Sequence, residues 1–157
     1  TRRSSDLDAA ITKVLAAIKA LVETPSLTFH INRTDDHPLD ESERPGVIVR
    51  VPHMAFEDYG SQGGDLVRAT LHFDFCSSGS AGETIDQENQ RNIADTMKRM
   101  ASDRTLGGMV QRWEATAVSG SEQDGADVGT AILETEIVFI TQRDDPFVIV
   151  GLTGAHF

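Results

Sequence analysis

Clustered basic residues are what this sequence lacks first. Lys and Arg number 14 against 25 Asp and Glu, giving a net charge of -11 and an isoelectric point near 4.7. No basic stripe runs through the chain, which argues against wrapping nucleic acid, because phosphate binding relies on gathered Lys and Arg. Cysteine is nearly absent too: Cys76 stands alone, so no disulfide can form within one chain and a reducing interior is expected. At the end of an apolar strand pattern, Cys76 reads as an inert buried thiol. Long apolar runs are missing as well. Lys13 and Lys19 interrupt the first one, which excludes a signal-peptide core, and no stretch is long enough to span a bilayer. A soluble, cytoplasmically made protein without membrane association is the expectation.

The 157 residues, 39% hydrophobic and 25% charged, suit a single domain over 1–157 with a substantial core. Ser5 and Asp8 form a capping-box pattern ahead of Leu7, Ile11, Val14, Leu15, Ile18, Leu21 and Val22, whose spacing predicts an amphipathic helix over 6–23. Thr24-Pro25 ends it. "LTFHINR" alternates as a strand. An acidic loop at 34–45 follows, then a short strand "VIVRVP" and a long connection "HMAFEDYGSQGGD". "LVRATLHFDF" sets Val67, Ala69, Leu71, Phe73 and Phe75 on one face and is the clearest strand. Thr84 with Gln87 opens a second helix whose stripe is Ile85, Asn89, Ile93, Met97 and Met100, ending near Ala101. Strands around Val110–Val118 and in "TAILETEIVFITQR" close the pattern. Asp144-Asp145-Pro146 stops the last one, leaving an apolar tail at 147–157. The order α-β-β-β-α-β-β predicts an α+β domain. Its two main helices pack on one face of a mainly antiparallel or mixed sheet of about five strands.

Signals for chemistry are weak. His72 and Asp74 share a strand face but have no third ligand at a recognisable spacing, and the remaining histidines form no cluster. "GSAG" around Ser80 is not a nucleophile elbow. "EQDGADVGTAILE" breaks the spacing of a calcium loop, and "YGSQGGD" lacks the Lys of a phosphate loop. The acids Asp35, Asp36, Asp40, Glu41 and Glu43 lie on a solvated loop, where nothing raises a carboxyl pKa for acid–base work. No catalytic, cofactor or metal residue is assigned, and an enzyme is not expected.

The stretch "SDRTLGGMVQRWE" stands out. Asp103 or Ser102 can satisfy amides at a helix end, Leu106 can fold back, and Gly107 and Gly108 can take positive φ. By itself this is a helix-to-strand turn. Together with the preceding helix, the following strands and the ending "FITQRDDPF", it resembles the tail-terminator, or tail-completion, proteins of long-tailed bacteriophages, the minor tail protein U-like family. The similarity spans nearly the whole chain in element order. Asp103, Arg104, Thr105, Leu106, Gly107 and Gly108 match the corner, and Asp145-Pro146 the strand-ending pattern. Two departures are the charged insert Asp35–Glu43 and the tail "FVIVGLTGAHF".

The resemblance implies a virion protein without enzymatic activity or cofactor. It would form a homo-oligomeric ring, a hexamer, at the head-proximal end of the tail after assembly in the host cytoplasm. Such a ring caps the tail-tube protein, ends polymerisation, offers a surface to the head-completion or connector protein, and lets DNA pass without specific binding. A ring needs two different patches per subunit. Met54, Phe56, Tyr59, Phe147, Val148, Ile149, Val150 and Phe157 serve either as such contacts or as a cap on the core's open end. Asp35, Asp36, Asp40, Glu41, Glu43, Glu134 and Glu136 are the acids expected at the channel. The rivals are another head–tail connector or tail-tube protein, and a small-ligand module using Tyr59–Gly64 as a lid.

Overall fold

Alternation in a strand becomes a fold when one face meets helices and the other meets water. In the computed structural model, which describes residues 9–31, 39–60, 63–79, 83–123 and 129–157, the chain does this on a curled six-stranded sheet. The elements are α1 (Ala10–Val22), β1 (Thr28–His30), β2 (Gly46–Asp58), β3 (Gly64–Ser77), α2 (Ile85–Ser102), β4 (Arg112–Gln123), β5 (Gly129–Gln142) and β6 (Asp145–Val150). The strand order is β1-β2-β3-β5-β4, with β6 also beside β5. Only β1 and β2 are parallel; the other pairings are antiparallel. This is an α+β fold.

The helix-bearing face carries the core. Val67, Ala69, Leu71, Phe73 and Phe75 of β3 are all buried, as the alternation predicts, beside Ala131, Leu133, Ile137 and Phe139 of β5. From α1, Val14 and Ile18 pack onto this layer, joined by Ile93 and Met100 of α2. Phe73 sits edge-on to both Phe29 (6.1 Å) and Trp113 (6.2 Å), the geometry aromatic quadrupoles favour. Trp113 donates its indole N–H to the Thr135 hydroxyl at 3.0 Å, so the one polar atom of the largest buried side chain is satisfied.

The second helix begins as its sequence requires. Thr84 accepts from the Gln87 amide, and the Gln87 side chain accepts from the Thr84 amide, the reciprocal capping box. Its buried face is more polar than a stripe of Ile and Met predicts: Glu88, Asn89, Asn92 and Thr96 are buried, and Met97 is exposed. Asn89 reaches the Gly129 carbonyl at 3.1 Å, anchoring the helix to the start of β5. The predicted cap at Ser5 and Asp8 lies outside the described residues.

Three expectations need correction. First, "HMAFEDYGSQGGD" is not all connection: β2 continues through Met54 and Phe56 to Asp58. A bulge between Arg50 and His53 breaks the alternation, and Pro52 reads as a stop in sequence, although an edge strand tolerates it. Second, the apolar tail is not a tail. After a two-residue turn at Arg143-Asp144, β6 runs back along β5, pairing Thr141 with Ile149 and Ile140 with Val150. Pro146 falls in the irregular part of that pairing, where no ladder amide is required. Third, the described half of the acidic loop is built. Asp40 and Glu43 close a capping box around a 3-10 turn at Glu41–Glu43, and Leu39 is buried against Ile48 and Cys76. Burial pushes the Cys76 thiol pKa above its ordinary value, with nearby Arg44 opposing the shift.

Candidate self-association surfaces

The corner after α2 is assembled from its own side chains. One carboxylate oxygen of Asp103 accepts the Gly107 amide at 2.8 Å, and the other faces the Thr105 hydroxyl at 3.4 Å. That hydroxyl in turn accepts the Gly108 amide at 3.3 Å. Leu106 (φ 50), Gly107 (φ 69) and Gly108 (φ 85) are all left-handed. Leu106 tolerates this because its side chain is buried in the core cluster, and burial outweighs a backbone cost of about 1–2 kcal/mol. Arg104 points to solvent.

Corner and chain end form one unit. The Leu152 amide donates to the Gly108 carbonyl at 2.9 Å, and Ile149 exchanges two backbone bonds with Phe157 at 3.1 and 2.9 Å. Lys13 of α1 donates to the carbonyls of Phe147 at 2.7 Å and Phe157 at 3.3 Å. A Cβ at Gly151 would come within 2.7 Å of the Gly108 carbonyl and 2.5 Å of the Phe157 ring, so this close approach requires glycine. Ile149, a proposed contact residue, is 0% exposed and belongs to the core: its side chain has no surface to offer a neighbour. Phe147, Val148 and Val150 are half-buried, and Phe157 is exposed. Asp145 accepts the Phe147 amide at 3.2 Å, and Pro146 is exposed beside it.

Met54 (36% exposed), Phe56 (65%) and Tyr59 (37%) lie on or just beyond the distal half of β2. Met54 and Phe56 pair with Ala69 and Val67, so both side chains project on the helix-bearing face, past the area the helices cover. At the opposite edge, beside β4 and β6, Val118, Leu152 and Phe157 are exposed. Sequence reading missed Val118 and Leu152. The only signal for Val118 is its place in an edge strand of small and polar neighbours.

The acids divide. Asp35 and Asp36 lie outside the described residues. Asp40 and Glu41 are exposed and Glu43 half-buried on the 3-10 turn. Glu134 and Glu136 project from β5 on the face opposite the helices, and there they are paired. Glu134 lies 3.2 Å from His72, and Glu136 lies 2.8 Å from Arg112 and 3.8 Å from Arg68. Arg50–Asp74 (3.0 Å), Arg68–Glu57 (3.3 Å) and Arg112–Glu114 (3.8 Å) extend the lattice over four strands. The face carries alternating charges in place of bare acid. Such half-exposed pairs contribute about 0–1 kcal/mol each to stability. His72 and Asp74 share this face as predicted, and among the described residues no group of three His, Cys, Asp or Glu could hold a metal.

Among the described residues, a cleft of about 320 Å³ opens between β1 and the 3-10 turn, lined by Ser26, Thr28, His30 and Arg44. Another, of about 190 Å³, lies between the end of α1 and α2. No helix among the described residues is long and apolar enough to cross a membrane. No protein-family model matches the chain, and no curated protein matches it in sequence.

Proposed function

We propose that this chain is a structural virion protein that forms a ring at the head-proximal end of a phage tail tube, ends tube polymerisation and presents the head-joining surface. The observation that carries the reading is the separation of the apolar groups exposed along the sheet edges. Met54, Phe56 and Tyr59 stand at one edge of the sheet, while Val118, Leu152 and Phe157 stand at the other. Two unlike patches on opposite edges are what a heterologous, ring-closing contact requires. The corner and element order that resemble the tail-terminator family supply the location. In this reading the ion-paired sheet face lines the channel. Its arginines are engaged by neighbouring carboxylates, so DNA finds few spare cations to hold it.

A tail-tube subunit is the second reading, favoured by the same two edges, because a ring that also stacks on itself grows into a cylinder. Negative-stain microscopy of particles assembled without this protein tests the proposal. Tails of uncontrolled length are expected. Tails of normal length overturn it, and absent tails move the assignment to the tube subunit.

A further inference from the structure

We infer that a second copy of this chain adds its β4 to the outer edge of β2, where no described strand covers it, continuing the sheet antiparallel from one protomer into the next. The inference rests on the ring reading and gives its two patches a register. β1 covers β2 only at Gly46–Ile48. From Arg50 to Asp58, no strand among the described residues lies outside β2, and β4 is the opposite edge. Because β2·β3, β3·β5 and β4·β5 are all antiparallel, β2 and β4 of one protomer run in opposite directions. Side-by-side copies therefore bring the two edges together antiparallel.

The edges match in detail. Reading across the ladder, Arg50, His72, Glu134 and Ala117 form one row, and His53, Thr70, Glu136 and Glu114 form another. Between these rows the interior strands place one residue each, Leu71 and Thr135, whereas the edges place two: Val51 and Pro52 on β2, Ala115 and Thr116 on β4. A bulge on one edge alone blunts strand addition. Here both edges bulge in the same row, so Arg50–Ala55 meets Ala117–Arg112 residue for residue.

Amide direction agrees. The Tyr59 amide donates to Gly64 on the β3 side, so alternation turns Glu57 and Ala55 inwards, and Phe56 and Met54 towards the open edge. Followed along the row Met54, Ala69, Ile137, Trp113, the same alternation turns Trp113 away from β5. Met54 and Trp113 of adjacent copies thus become a hydrogen-bonded pair. Across the same junction His53 faces Glu114, and Glu57 lies diagonal to Arg112. The imidazole-to-carboxylate and the carboxylate-to-guanidinium pairings, both on one face, favour this register. Phe56 is carried against the neighbour's chain just ahead of Arg112.

The test is the double variant His53→Cys/Glu114→Cys, both exposed positions. Across the proposed junction their Cα atoms stand about 4.5–5.5 Å apart, within disulfide range. Within one protomer they are three strand spacings apart, about 14 Å, too far to close. Cys76 is buried, so the single variants give the background. Mild oxidation should convert the double variant into a reducible ladder of covalent multimers, with none from either single variant or from His53→Cys/Ser119→Cys. Equal cross-linking of the out-of-step pair overturns the register. Multimers in sedimentation without the 53–114 bond overturn the edge pairing and leave the ring reading standing. A protein that stays monomeric and uncross-linked overturns both. The bond in a protein whose removal leaves tails unchanged upholds the pairing and removes the tail assignment.

Discussion

Lys13 and Phe147, 134 residues apart, are joined by an ammonium-to-carbonyl hydrogen bond of 2.7 Å. Through it the first helix holds the strand that follows the Arg143-Asp144 turn. Lys13→Met keeps the apolar stem and removes the donor. It should cost about 1 kcal/mol and speed proteolysis within 147–157 ahead of global unfolding. Limited digestion followed by mass spectrometry checks this, and cleavage unchanged from wild type would show that Ile149 and the Phe157 pairing hold the segment alone.

Ile149 and Phe56 should part company. Ile149→Ala opens a hole in the core and should cost about 2–5 kcal/mol, seen as a lower midpoint in urea. Phe56→Ala removes a ring already 65% exposed. It should leave the midpoint nearly unchanged while shifting sedimentation towards the monomer. A large loss of stability in Phe56→Ala would place the ring in the protomer's own core.

The contrast marks how far sequence alone reaches. β3 was legible because its two faces meet different surroundings, with Phe73 and Phe75 inside and His72 and Asp74 outside. The Thr84 cap and the Asp103–Gly108 turn were legible because their chemistry is local. β2 was cut short where Pro52 and the bulge broke the alternation. β6 was missed because Pro146 was read as an end when it sits in a gap of the ladder. Ion pairs such as His72–Glu134 and Arg112–Glu136 depend on strand register, which a linear sequence does not display. Ile149 stayed open between interface and core for the same reason: the cluster that buries it is gathered from strands and helices distant in sequence.

At the corner, Gly107 and Gly108 test backbone against packing. A Cβ at either would meet nothing within 4 Å, so alanine there pays only for positive φ, about 1–2 kcal/mol. Asn, which tolerates the left-handed region better, should recover part of it at each site. Thermal unfolding of the Gly107→Ala, Gly107→Asn and corresponding Gly108 variants checks the order. An alanine variant as stable as wild type would mean the turn can relax out of the left-handed region.

Glu23 gives the fold a small acid sensitivity. Its carboxylate accepts the Phe29 amide at 3.0 Å and lies 3.2 Å from Lys19. The Phe29 hydrogen bond, chiefly, lowers its pKa below the ordinary value; partial burial opposes this, and Lys19 adds to the lowering. A folded-state pKa below the unfolded one means that the unfolded chain takes up the proton first as pH falls. The contribution is therefore complete above the unfolded carboxyl pKa and disappears as pH drops through the depressed folded value. Glu23→Gln should flatten stability against pH across that acidic window; its deficit is largest at neutrality, below about 1 kcal/mol because the pair is partly exposed, and closes in acid. Denaturant titrations of both proteins from neutral into acid measure it. Parallel curves throughout would show that the Phe29 amide does not discriminate the charged from the neutral side chain.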